Sequence, residues 1–413
     1  MKKKKAPLVR RMKEFVKTSV VWGPLDHNLF FTIIFLNVYG IIMVYSASYN
    51  NSITKNYSYF MNNQLKNVIF GFVIMIVASY VNYHRIVRLG WGWFWLLAAV
   101  AIIAALKTPL AHSELGATRW IKLGPVSFQA AEPIKAAIII FFAYYVSYWG
   151  LNRWYNQLLA CLLAIALLGF LFFFSNNLST VIVLFCICAV IILSSVKKPD
   201  LYWYFLLGLA LIIIAAIFVT VYLLMHQGAE NFRFVRIRAW LHPEEYAADE
   251  GLQAMQARYA IGAGGFWGKG LGQSLIKFKL SYSYNDFILA IICEELGVFG
   301  VIVMMTLFGY LLYRIYKIAQ NAWDIEGKVL AIGVFTQIAL QLLINVMVVT
   351  SVIPTTGVTL PFFSAGGTSV VFLLAELGMV LNVDKYAKER RFFEEAERHV
   401  AQMEQRGGIG AAG

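Results

Sequence analysis

Charge is scarce in this 413-residue chain: Asp, Glu, Lys and Arg together make up 14% of it, against about a quarter in a soluble globular domain. A soluble enzyme of ordinary composition is excluded on that ground. Cysteine is scarcer still. Cys161, Cys186, Cys188 and Cys293 all lie inside apolar runs, with no C-x-x-C pair and no histidine at ligand spacing, so neither a disulfide framework nor a zinc site is expected. No small-residue cleavage site follows the basic N-terminus, and the first apolar run, starting near Leu29, is a full span. It reads as a retained helix rather than a signal peptide. Nucleotide-binding loops are missing too. In the glycine-dense run at 261–272, counting back from Lys269 puts Ala263 where a P-loop needs glycine and Gly270 where it needs Ser or Thr. Gly262-x-Gly264 is followed by Trp267 where a dinucleotide fold needs its third glycine.

What the sequence holds in quantity is apolar residues, 60% of the chain. Matching the apolar runs to a bilayer, at about 20 residues per helix, predicts ten spans near 28–48, 67–83, 90–106, 133–149, 157–174, 179–195, 202–225, 286–313, 329–352 and 367–383. The net charge of +13 therefore poses a question of topology before one of nucleic acid, for which no case is made. With the N-terminus inside, 22 of the 35 Lys and Arg fall on the cytoplasmic side, eight of them in residues 1–27 and six after Val383. Both termini are accordingly expected in the cytoplasm. The predicted fold is an all-α polytopic membrane protein with three stretches: a basic segment 1–27, a ten-helix domain 28–383 and a charged tail 384–413. The terminal charges read as topogenic signals, or as anchors on an anionic inner leaflet and partner contacts.

Two outer loops are long, 107–132 and 226–285, and long loops in compact folds tend to be functional. The second carries seven Lys or Arg, five Asp or Glu and the glycine run, where backbone can approach another surface closely. Inside the spans, each ionisable residue costs about 2.5–3.5 kcal/mol at mid-bilayer unless paired or hydrated. Gln337, Gln341 and Asn345 recur every four residues and share one helix face, which suits interhelical hydrogen bonds or a wet cavity. At 100° per residue Glu294 lies about 80° round from Asp286 and Glu295 about 180°, so only Glu294 is expected on the side of Asp286. Asp286 itself, opening the eighth span, reads as a helix cap or as a catalytic carboxylate.

The residues then carry a resemblance. Asp26 and Tyr45-Ser46-Ala47-Ser48 bound the first span, and Gly116-Ala117-Thr118-Arg119-Trp120-Ile121 is followed by Gln129-Ala130-Ala131-Glu132 and Lys135. Arg233, Arg236, Leu241 and Pro243 open the large loop; Gln256, the glycine run, Gln273-Ser274 and Lys277 continue it. Asp286-Phe287-Ile288, Glu294-Glu295-Leu296-Gly297, Pro354, Gly357, Leu360-Pro361-Phe362, Ser364, Gly366-Gly367 and Ser369 close the set. From Asp26 to Asn382 the chain resembles the SEDS family (shape, elongation, division and sporulation), which includes FtsW, RodA and SpoVE.

That resemblance implies an inverting glycosyltransferase that polymerises lipid II at the outer face of the cytoplasmic membrane and releases undecaprenyl diphosphate. Asp286 is the implied catalytic residue. Arg233, Arg236 and Lys277 are expected on the diphosphates, with Lys279 and Arg238 as further cations; Gln273, Ser274, Gln256, Glu132, Lys135, Arg119 and Ser364 complete the implied substrate-binding set. No tightly bound cofactor is implied, although a divalent cation, Mg or Mn, is an alternative to the cationic side chains for the departing charge. Implied partners are a class B penicillin-binding protein and other divisome or elongasome membrane proteins. Departures exist: Leu280-Ser281-Tyr282-Ser283-Tyr284-Asn285 lacks the Glu and His that many members carry before the aspartate, and Ala365 replaces a tyrosine. A lipid II flippase and a non-catalytic scaffold stay open as alternatives.

Overall fold

The structure is a computed structural model that describes residues 20–48, 59–114, 117–124, 126–175, 177–196, 232–245, 251–278, 285–365 and 367–409. The expected seventh span, 202–225, and Lys279 lie outside them. Helix α1 (His27–Ser48) starts where the Asp26 carboxylate accepts the Leu29 N–H at 3.1 Å, an ordinary N-cap. It is followed by α2 (Tyr59–Tyr80), a short α3 (Tyr83–Val87), a 3-10 turn at Leu89–Gly92 and α4 (Trp93–Ala105). The bundle continues with α5 (Ala131–Trp149), α6 (Trp154–Ser175) and α7 (Leu178–Ser195). It closes with α10 (Ile288–Asn321), α11 (Ile325–Val349) and α12 (Thr368–Ile409), after α8 (Phe232–Leu241) and α9 (Leu252–Gly264).

Six of these helices, α1, α2, α6, α7, α10 and α11, are long and apolar enough to cross a membrane, and α4 is a shorter apolar helix of 13 residues. The chain is thus a mostly helical, multi-pass membrane protein. Each expected span within the described residues has a helix, but α12 runs on through residue 383 without interruption. Helices α2 and α12 pack together at a close approach: a Cβ on Gly378 would lie 2.5 Å from the Met75 carbonyl oxygen, the small-residue contact that membrane helices favour.

Two expectations need correction. The 107–132 segment, read as a loop in an all-α fold, contains an antiparallel sheet of β1 (Ala111–Glu114), β2 (Ala117–Leu123) and β3 (Val126–Gln129), in that order. Its register sets Trp120 opposite Gln129 and Ile121 opposite Phe128. Likewise the 226–285 loop holds α8, α9 and a 3-10 turn at Ile276–Phe278. Apolar run length does not register either feature, because both are too short and too polar to span a bilayer.

Helix α10 is broken. Gly297 takes φ 65° and ψ −165°, and the glycine run fills the gap. Lys269 and Gly270 donate their N–H groups to the carbonyls of Glu294 and Glu295, both at 2.9 Å, while Val298 and Phe299 donate to Gly265 and Phe266, both at 3.1 Å. Backbone groups orphaned at the break are therefore satisfied by the loop, as a buried helix end requires. A Cβ on Gly297 would stand 2.4 Å from the Gly268 nitrogen, so the close approach expected of the glycine run occurs against its own neighbouring helix.

Candidate active site

Asp286 lies in the turn Asn285–Phe287, ahead of α10, whose N-cap is Phe287 with no side-chain capping bond. The carboxylate therefore does not cap this helix. The turn is held from outside instead. The Asn345 side-chain amide of α11 donates to the Asp286 carbonyl at 2.9 Å, and the Ser364 hydroxyl donates to the Asn285 carbonyl at 2.9 Å. Burial pushes the Asp286 carboxyl above the usual aspartate range, while Arg119 and, less strongly, Arg236 pull it back down. These two cations come from β2 and α8, elements distant in sequence from the turn. Arg119 also packs against Gly357, where a Cβ would meet its Nη1 at 2.9 Å.

Beside this group lies a polar hollow. Glu132 and Lys135, on the first turn of α5, form a buried ion pair at 2.9 Å, and they line a cavity with Gln129, Asn177, Gln341 and Thr359. Adjoining cavities share Gln129 and Asn177 with Arg119 on one side, and Glu132, Gln341 and Thr359 with Ser364 on the other. The structure thus brings together Arg119, Glu132, Lys135, Ser364, Arg236 and Asp286 at the end of the bundle where α5, α10 and α12 begin.

Other expected ligands are placed differently. Lys277 is 7% exposed, with its Nζ 2.7 Å from the Gly272 carbonyl, 3.3 Å from the Ser46 carbonyl and 3.5 Å from Glu295 Oε1. Its ammonium group is turned inward, toward Glu295 and two backbone carbonyls. Ser274 is also buried and donates its hydroxyl to Glu294, which Lys269 holds at 2.7 Å. Glu294 is therefore committed to the glycine loop and is not among the groups that shift Asp286. Gln273 is exposed, Arg238 is half-buried, and Gln256 on α9 keeps a buried Oε1 without a partner among the described residues. Arg233 shares α8 with Arg236, one turn away, and its side chain lies outside the description.

The amide stripe resolves into three roles. Gln337 donates to Glu376 at 2.7 Å, Gln341 lines the cavity, and Asn345 holds the Asp286 turn. The first is the interhelical hydrogen bond that the spacing allowed; the third ties α11 to a turn rather than to a helix. The importance of Asn345 was missed because spacing names a face and not the carbonyl it meets. As for a metal, no group of three His, Cys, Asp or Glu is placed to hold one among the described residues. One carboxylate facing two guanidinium groups is a poor donor set for Mg or Mn.

Comparison with known proteins agrees with the architecture. The probable peptidoglycan glycosyltransferase FtsW of Trichlorobacter lovleyi is 31% identical over 382 residues, spanning 90% of this chain and 96% of the relative. Stage V sporulation protein E of Bacillus subtilis is 33% identical over 370 residues, spanning 86% of this chain and 96% of that protein. Among solved structures, a chain from a peptidoglycan synthase complex superposes with a TM-score of 0.71 at 22% identity, covering 88% of this chain and 98% of its own length. The rod shape determining protein RodA of Thermus thermophilus gives 0.63 at 22% identity, covering 88% and 97%; both likenesses speak for the fold. The sequence profile described as "Cell cycle protein" for FtsW, RodA and SpoVE matches residues 26–389, and with these relatives it establishes that the chain belongs to the FtsW/RodA/SpoVE family.

Proposed function

We propose that the chain is a peptidoglycan glycosyltransferase that polymerises lipid II by inversion, with Asp286 as general base. The observation that carries this reading is that Arg119, which lines a polar cavity, acts with Arg236 on the Asp286 carboxylate. The acceptor sugar's 4-hydroxyl attacks the anomeric carbon of the donor. The new C–O bond forms as the bond to the diphosphate breaks, the configuration inverts, and the hydroxyl proton passes to Asp286. Undecaprenyl diphosphate leaves. A carboxyl raised by burial is a stronger base near neutral pH than an ordinary aspartate, and the arginines oppose that rise while offering fork-shaped donors to diphosphate oxygens.

The names of the relatives support the reaction class, and the positive-inside count supports ten spans with both termini in the cytoplasm and the site at the outer face. On the same reading residues 1–27 and 384–413 flank a membrane domain at 28–383. A relative within a complex that coordinates polymerization with crosslinking supports a crosslinking partner, a class B penicillin-binding protein. The test is a product gel from purified full-length protein, alone and with each candidate transpeptidase, supplied with labelled lipid II. Long glycan from the wild type and none from Asp286→Ala is expected. Near-wild-type glycan from Asp286→Ala would remove it from the mechanism, and lipid II translocation without polymer would favour a flippase.

A further inference from the structure

The direction in which a side chain leaves the backbone, its Cα–Cβ bond, is set by the two peptide planes that flank its Cα, and the side-chain torsions start from there. For Asp286 those planes end in the carbonyls of Asn285 and Asp286, and each accepts a hydrogen bond from a side chain of a remote element. Neither donor is loose. Asn345 is 0% exposed and also donates to the Val358 carbonyl at 2.9 Å, so its amide group is engaged by two acceptors. Ser364 accepts the Leu360 N–H at 2.7 Å while its hydroxyl donates to Asn285. Since the turn has no side-chain cap of its own, these two contacts supply the hold that a cap would otherwise give.

We propose that Asn345, seconded by Ser364, is a positioning residue for the reaction: it aims the Asp286 carboxylate at the reacting hydroxyl by locking the peptide planes on either side. The inference rests on the reading of Asp286 as general base. It also reassigns Ser364 from substrate binding to the clamp, because both of its bonds are to backbone. Among the described residues, the charged groups that act on Asp286 are Arg119 from β2 and Arg236 from α8, and their action depends on the same aim. A displacement of about 1 Å can reduce a rate by about a hundredfold.

The experiment is steady-state polymerisation of lipid II between pH 5 and 9 by the full-length wild type and by Asn345→Leu, Ser364→Ala, Ser364→Thr and Asp286→Ala. Leucine keeps the branching and heavy-atom count of asparagine but donates nothing. Asn345→Leu is expected to lower kcat by about 10- to 100-fold, with KM nearly unchanged. Its acid limb should move to higher pH, because a carboxylate turned away from the arginines binds its proton more tightly. Ser364→Ala should act the same way, Ser364→Thr should retain activity, and a protein carrying both Asn345→Leu and Ser364→Ala should fall short of the summed effects, since both donors hold one turn. If Asp286→Ala is inactive while Asn345→Leu keeps the wild-type kcat and pH profile, the clamp is overturned and the base assignment stands. An active Asp286→Ala overturns both. A raised KM with an unmoved acid limb would make Asn345 a substrate ligand instead. Should Asn345→Leu fail to fold, Ser364→Ala against Ser364→Thr decides by the same readouts.

Discussion

Replacing Gly297 with alanine isolates the stitch between the glycine loop and α10. The perturbation is one methyl group at φ 65°, ψ −165°, a region occupied almost solely by glycine, where a side chain costs about 1–3 kcal/mol. The methyl carbon would also lie 2.4 Å from both the Gly268 nitrogen and the Phe266 carbonyl oxygen, and backbone cannot swing aside as a side-chain tip can. Relief requires the loop to lift, which breaks the four stitching bonds made by the N–H groups of Lys269, Gly270, Val298 and Phe299. At about 1 kcal/mol each they add about 4 kcal/mol, for a total of roughly 5–7 kcal/mol, comparable with the whole stability of many proteins. Gly262 is the internal control. It sits inside α9 with nothing within 4 Å of an added Cβ, so alanine there removes a helix penalty and stabilises by up to about 1 kcal/mol. Thermal denaturation of the detergent-solubilised full chain, with limited proteolysis of the loop, should move in opposite directions for the two variants. A Gly297→Ala protein that melts with the wild type and resists protease would refute the reasoning.

Two further outcomes follow from the charges. Lys277→Met leaves Glu295 buried without its cation and should destabilise by about 3–5 kcal/mol, and adding Glu295→Gln should recover most of the loss with KM for lipid II unchanged; a stable Lys277→Met protein with weakened lipid II binding would return the lysine to the diphosphate site. Arg119→Gln removes the stronger of the two countercharges on Asp286. A general base works deprotonated, so activity is lost as pH falls through its pKa, and removing the cation raises that pKa. The acid limb of the rate profile should therefore move to higher pH, and a limb that stays or moves lower would show that Arg119 does not act on the carboxylate.

Much of the architecture is a property of the sequence alone. A bilayer imposes its thickness on every span independently, so apolar run length identified helices at 28–48, 157–174, 179–195, 286–313 and 329–352 without knowledge of their neighbours. Asp286, Arg119 and Arg236 were named from ordered motifs, and the structure groups them. Tertiary structure decided what local pattern leaves undetermined, namely which group each polar residue meets. Lys277 and Arg236 are both cations of one loop, yet one turns in to Glu295 and the other faces Asp286. Glu294 and Asp286 share a side of an ideal helix, but the turn at 285–287 and the break at Gly297 lie outside ideal geometry, and Lys269 and Ser274 claim Glu294. Asn345 was legible as an amide on a polar face, while its bond to the Asp286 carbonyl spans 59 residues. Hydrophobic length is read one segment at a time; a hydrogen bond or an ion pair needs two segments, and their meeting exists only in the folded chain.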